Sequence, residues 1–179
     1  METRVRRRSA RDLGECLRVL EAVHHADGYP AYWPDDPARW LSPAETLGAW
    51  VAEADGPVVG HIVLRAGTAE ADASVWSEAT GLPPDRLASI TRFFVSPGLR
   101  CAGVGGALLD AACAEAGARS LRPALEVVET DRDAVRLYER RGWRRVHSER
   151  WAAACDGETL LHHYVAPPAT SSRAASPAA

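Results

Sequence analysis

Apolar and polar positions alternate between two periods along this chain. Thr3 to Arg8 alternates weakly around Val5 and predicts an arginine-rich first strand. Leu13, Leu17, Leu20 and Val23 recur at helical spacing behind Ser9 and Asp12, a near capping box, so a helix is predicted over residues 10–25. His24 to Leu41 has no period and carries prolines, tyrosines and tryptophans, which suits an ordered aromatic loop. Ser42-Pro43-Ala44-Glu45 predicts a short helix start. Trp50 to Glu53 and Val58 to Arg65 read as strands around the turn Ala54-Asp55-Gly56-Pro57. Residues 66–86 are small and acidic, a surface excursion with a short helix ended by Gly81.

Strand character returns over Leu87 to Val95 and stops at Ser96-Pro97-Gly98. A glycine-rich stretch then leads into a helix to about Ala118, with Leu108, Leu109, Ala112 and Cys113 facing inward. Ala124 to Glu129 predicts a strand, Asp131 to Arg141 a helix closed by Gly142, and Trp143 to Trp151 with Glu158 to Val165 a hairpin around Asp156-Gly157. Strands and helices mix without strict alternation, which predicts an α/β or α+β layer domain: a mixed sheet with helices on both faces.

The chain has 179 residues. That length suits one domain, expected over 1–166, able to bury about 70% of its unfolded surface. Residues 167–179 read as a disordered tail. A net charge of −3 gives no electrostatic case for nucleic acid or an anionic membrane as partner. No apolar run approaches the ~20 residues of a membrane span. Cys16, Cys101, Cys113 and Cys155 lack zinc-type spacing, so no metal is expected and four free thiols in a reducing cytoplasm are.

Candidate chemistry concentrates in Arg100-Cys101-Ala102-Gly103-Val104-Gly105-Gly106, between a strand and a helix start. A helix N-terminus has unpaired N–H donors and a partial positive charge, and glycines let an anion approach the backbone. A dinucleotide fingerprint would need glycine at Leu108, and a P-loop needs a lysine, which this chain lacks altogether. What remains is Arg100-x-x-Gly103-x-Gly105, which resembles the acyl-CoA pyrophosphate loop of the GNAT superfamily of N-acyltransferases. Farther on, Leu125-Glu126-Val127, Asp131 and Ala134-x-x-Leu137-Tyr138-Glu139-x-x-Gly142-Trp143 are similar to that family's second motif. Together the two cover residues 88–151, the cofactor half.

The resemblance implies a mostly antiparallel twisted sheet of about six or seven strands with a cofactor cleft between two splayed ones. It implies acetyl-CoA as co-substrate and acetyl transfer to a primary amine of a small molecule or a protein N-terminus; a non-catalytic CoA-binding module is the alternative. The cofactor would lie along Phe93, Phe94 and Val95, with the Val95 N–H on the thioester carbonyl. Its pyrophosphate would meet the N–H groups of Cys101 to Gly106, with Arg100 as loop brace or phosphate neighbour. Asp131, where the family often has asparagine, and Tyr138 would complete the site, Tyr138 also protonating the departing sulfur. Many members carry a glutamate on the strand before the glycine loop, where this chain has Ser89 and Thr91. Glu126 matches the base of the branch resembling ribosomal-protein alanine acetyltransferases, with His24, His25 and Glu129 next in line.

The acceptor side falls to the aromatic loop. Tyr29, Tyr32 and Trp33 are expected as walls, and Asp27, Asp35 or Asp36 facing a cationic amine. The alternative is that these aromatics pack the first helices onto the sheet or make a homodimer contact.

Overall fold

The computed structural model describes residues 2–100, 102–153 and 157–168. Its seven strands are β1 (Thr3–Arg7), β2 (Thr46–Ala54), β3 (Val58–Ala66), β4 (Leu87–Val95), β5 (Arg122–Val128), β6 (Arg144–Ala153) and β7 (Gly157–Val165). They form one sheet in the order β1-β2-β3-β4-β5-β7-β6. Five helices complete the fold: α1 (Leu13–Asp27), α2 (Pro37–Trp40), α3 (Ala73–Thr80), α4 (Val104–Ala118) and α5 (Arg132–Arg140). Among the described residues no helix is long and apolar enough to cross a membrane.

All neighbouring strands are antiparallel except β4 and β5, which run parallel through three register pairs, Leu87 with Arg122, Ala88 with Pro123 and Ser89 with Ala124. Past that seam the ladder stops and the strands part. Parallel strands need a long crossover, and the glycine loop with α4 supplies it. β4 also carries a bulge: His61 pairs with Phe94 and Val63 with Thr91, so Ile62 alone faces both Arg92 and Phe93. Arg92 accommodates the extra residue at φ 50°.

Layering follows from the strand alternation. Ile62, Leu64, Ile90 and Leu125 point to one face, where Leu108, Leu109 and Ala112 of α4 and Tyr138 of α5 close over them. On the opposite face Cys16, Leu20 and Val23 of α1 pack on Val51, Val58 and Phe94. Trp76 of α3 packs there too, against Leu87, Ala124 and Val165. The expected α1 stripe is present, with Cys16 fully buried in it and Leu13 and Leu17 at its margin. Asp12 closes the capping box by accepting from the Ser9 N–H at 2.6 Å, and it ion-pairs with Arg6 at 2.8 Å. Arg6 bridges on to Glu53 at 2.6 Å, tying β1, β2 and α1 together. That guanidinium holds the Asp12 carboxyl well below the usual carboxylate range.

Two local expectations need correction. No helix starts at Ser42. The Thr46 hydroxyl donates to the Pro43 carbonyl at 2.6 Å, Glu45 takes φ 57°, and its carbonyl accepts the Ala66 N–H at 3.0 Å, so the chain enters β2 four residues before Trp50. Sheet pairing overrides the local cap signal. The aromatic loop, conversely, contains α2, with Asp36 accepting the Arg39 N–H at 3.0 Å and Pro37 in the first turn. Asp156 of the expected final turn and residues 169–179 of the expected tail lie outside the described residues. So do Cys101 and Cys155; Cys16 and Cys113 are free thiols.

Candidate active site

Where β4 and β5 part, a groove of about 2000 Å³ opens through the sheet. Antiparallel pairing sets what β4 offers to it. The Ser96 N–H donates to the Val59 carbonyl at 2.8 Å, which makes those two a hydrogen-bonded pair. Val95, opposite Gly60, therefore turns its N–H away from β3 toward the gap. Phe93 and Val95 face α4, while Phe94 faces α1, so the three expected strand residues line the groove from different sides.

At one end sits the start of α4. Gly103 caps it at φ 84°, ψ −9°, and its carbonyl accepts the first helical bond, from the Ala107 N–H at 3.0 Å. The N–H groups of Val104, Gly105 and Gly106 precede that bond and have no helical partner. Gly105 lies beneath Phe93 and Leu137, both within ordinary contact of a hypothetical Cβ. Ala102 is exposed, the Val104 side chain is in the core, and Cys101 lies outside the described residues. Because only glycine holds the Gly103 conformation without strain, Gly103→Ala is expected to cost about 1–2 kcal/mol, read as a lowered denaturant midpoint at unchanged slope.

Two arginines brace this end. Arg100 forms a two-pronged ion pair with Asp27 at the end of α1, which fixes the glycine loop to the opposite layer. Arg141, just past α5, lies over Gly106, where any side chain would meet its guanidinium, and pairs with Asp110 of α4. Sequence reading did not single out Arg141; its one signal is its place beside the closing Gly142.

Tyr138 enters the groove from α5. It is 5% exposed and packs among Phe93, Trp143 and Tyr164. Burial pushes the phenol well above its ordinary range, with Asp131 adding to the effect. Asp131 caps α5 by accepting the Ala134 N–H at 3.2 Å, and burial raises its carboxyl as well.

Glu126 approaches from the other face. Along β5 it lies two residues beyond Ala124, the last residue paired to β4, between the inward-facing Leu125 and Val127. Its side chain keeps 32% of its surface open to the groove. Loss of water pushes its carboxyl up to about 7, followed by the charges of Asp72, Glu70 and Glu149. His163, fully buried on β7, sits behind it: Nδ1 is 3.7 Å from Glu126 Oε1, and Nε2 is 2.9 Å from Glu149 Oε1. Glu70 accepts from the Ser89 hydroxyl at 2.5 Å and from Arg65 at 3.1 Å. Glu70 and Asp72 belong to the excursion read from sequence as plain surface, which instead folds back onto the strands. Among the other base candidates, Glu129 and His24 line the groove and His25 does not; the His24 ring nitrogen is engaged by the Pro30 carbonyl at 3.0 Å, and the ring lies tilted against Trp33.

The aromatic loop divides. Tyr29, Tyr32 and Trp40 line the groove; Trp33 closes a separate recess with Glu21, His24 and His25. Asp27 is taken by Arg100, Asp36 caps α2, and Asp35 is not among the groove-lining residues.

Known proteins agree with this architecture. The structure resembles the ribosomal-protein-S18-alanine N-acetyltransferase of Escherichia coli, with a TM-score of 0.70 at 17% identity over 97% of this chain and 98% of that one. A GCN5-related N-acetyltransferase from Kribbella flavida gives 0.69 at 25% identity over 92% and 97%. The Arabidopsis thaliana protein NAA60, solved in complex with acetyl-CoA, gives 0.68 at 16% over 92% and 98%. No curated protein matches the sequence itself. Residues 15–143, however, match the sequence profile of the acetyltransferase (GNAT) family. That stretch runs from α1 through the glycine loop to the end of α5 and carries both sides of the groove, so the chain belongs to the GNAT acetyltransferase family.

Proposed function

We propose that the protein transfers an acetyl group from acetyl-CoA to the primary amine of a small molecule or a protein N-terminus. The observation that carries this reading is the gap between β4 and β5. Glu126 reaches it from the α1 and α3 face, Tyr138 from the α4 and α5 face, and the Val95 N–H points into it.

In this reading the thioester spans the gap and the CoA phosphates lie at the α4 N-terminus beside Arg141. Glu126, directly or through a water, takes a proton from the acceptor ammonium, and the freed nitrogen lone pair attacks the thioester carbonyl carbon. The oxyanion that forms accepts from the Val95 N–H. As the C–S bond breaks, its electron pair stays on sulfur, which takes a proton from Tyr138. The nitrogen, cationic once bonded to carbon, gives up its remaining extra proton, which through water restores the Tyr138 phenol. The products are the acetamide and free CoA, and the proton on Glu126 returns to solvent. A phenol held well above its ordinary range stays in the protonated form that a donor needs.

A thiol-release assay over an amine panel tests the proposal. Tyr138→Phe is expected to slow turnover by about 10²-fold, the low end for general acid catalysis, because a thiolate leaves more readily than an alkoxide. An equally fast variant would remove Tyr138 as the acid. Calorimetric CoA binding with no thiol release from any amine would favour a non-catalytic CoA-binding module.

A further inference from the structure

Resting on that reading, we infer that the acceptor is an amino acid, held with its carboxylate on Arg92 and its amine toward Glu126. Arg92 sits on the β4 bulge and lines the groove. Its guanidinium lies 4.4 Å over the Trp40 ring, with Nε donating to the Trp40 carbonyl at 3.2 Å and Nη1 to the Thr91 hydroxyl at 2.8 Å. Nη2 makes no hydrogen bond among the described residues, and no carboxylate among them pairs with this arginine.

Other arginines of the fold differ. Arg100 and Arg141 have their aspartates, and the half-buried Arg8 is occupied by the Leu41 carbonyl, Ser42 and His61. Glu70, the carboxylate that acts on Arg92 through space, is already held by Arg65 and Ser89. Arg92 is thus a fixed, partly desolvated, groove-lining cation whose Nη2 is unengaged among the described residues. A charge in that state is costly unless something pairs with it, and a guanidinium edge matches a carboxylate.

Strand register places the partner group. Ser89 and Ala124 are the last pair of the seam, and Thr91 and Glu126 each lie two residues beyond, on the same face, flanking the opening. Arg92 is bonded to Thr91, so a cation lies on one lip and a carboxylate on the other. Around Glu126 the field is negative, from Asp72, Glu70 and Glu149. Behind it two buried polar atoms have no partner, His163 Nδ1 and the Nε1 of groove-lining Trp76. A zwitterion matches both lips; a plain alkylamine would leave Arg92 unpaired.

The test compares the standard L-amino acids with their carboxamides and decarboxylated amines in the thiol-release assay. For at least one side chain the free acid is expected to exceed both neutral-ended analogues in kcat/KM by about 10²-fold. Arg92→Gln should abolish that preference by raising KM for the acid while leaving the amide and amine nearly unchanged. Arg92→Lys should restore part of it. CoA affinity by calorimetry should be equal in all three proteins, which also reports that the variants fold. Acids no better than their amides, an unchanged KM in Arg92→Gln, or weakened CoA binding instead would overturn the assignment. If the wild type releases no thiol, the acetyltransferase reading fails by itself. The acceptor site is then decided by titrating the same acids and amides into the CoA-bound protein: acid-selective binding lost in Arg92→Gln supports it, and its absence overturns it.

Discussion

Glu126→Gln is expected to slow acetyl transfer by about 10³-fold near neutral pH, within the range for a lost general base. An acceptor ammonium cannot attack until it loses a proton, and glutamine keeps the shape of the side chain without the basicity. The pH dependence carries the sharper evidence. A base must be ionised, and Glu126 is pushed up to about 7 by desolvation and then by Asp72, Glu70 and Glu149. The kcat/KM of the wild type should therefore rise through about pH 7 and level off above it. In the variant that inflection should vanish and the deficit shrink at high pH, where bulk hydroxide deprotonates the amine. A variant that retains the inflection would place the base elsewhere, with Glu129, a groove-lining carboxylate just past β5, the next candidate. Because the folded state disfavours the charged form, Glu126→Gln should also leave the protein slightly more stable above that pH, as expected of a residue kept for function at a cost in stability.

Acidification from pH 7 to about 4 should remove about 3 kcal/mol of folding stability through His61 alone. His61 is fully buried, stacked on Phe94 at 5.3 Å. Nε2 lies 3.0 Å from the Arg8 guanidinium, which can only donate, so Nδ1–H donates to the Arg92 carbonyl at 2.9 Å. Burial first, and then the charges of Arg8 and Arg92, depress the imidazole to about 3. Between that value and its unfolded value of about 6.5, the unfolded chain binds a proton that the folded one refuses. Stability is therefore fully present above the unfolded value and falls with pH through this window. Asp12 adds its own loss only below about pH 4, so the two are separable. Glu126, pushed up to about 7, works in the opposite sense over the same window. The slope is therefore read by denaturant midpoints in the Glu126→Gln background, where adding His61→Asn should flatten it above about pH 4 while lowering stability at neutral pH. A Glu126→Gln curve already flat there would mean that His61 ionises in place.

Sequence and structure agree most closely where local signals are punctuated. Ser96-Pro97-Gly98 ends β4 at Val95, and Gly103 and Gly142 bound α4 and α5 because each takes a positive φ that other residues avoid. Where long-range pairing competes with a local signal, the sequence misleads: Ser42 looks like a helix cap, yet Glu45 is drawn into the sheet by Ala66. The Arg92 bulge has no glycine or asparagine to announce it. The groove itself was legible as a glycine loop followed by Glu126 and Tyr138, since those residues sit in motifs. Its acidic wall was not, because Glu70 and Asp72 come from a stretch without periodicity and reach Glu126 only by tertiary folding. Nor could spacing tell that Trp40, rather than Trp33, would face the groove.

The brief seam between β4 and β5 also gives the molecule a mechanical character. Strands β1 to β4 come from one contiguous length of chain and β5 to β7 from another, so the sheet is two plates, each closed by its own neighbours. Three residue pairs weld them, and the loop leading into α4 straps across the joint. Glu126 rides on the second plate, whereas Arg92 and the Val95 N–H ride on the first. The α4 and α5 core on one face and Trp76 on the other span both plates, so the distance between Glu126 and the Val95 N–H is set by that packing and the short weld together.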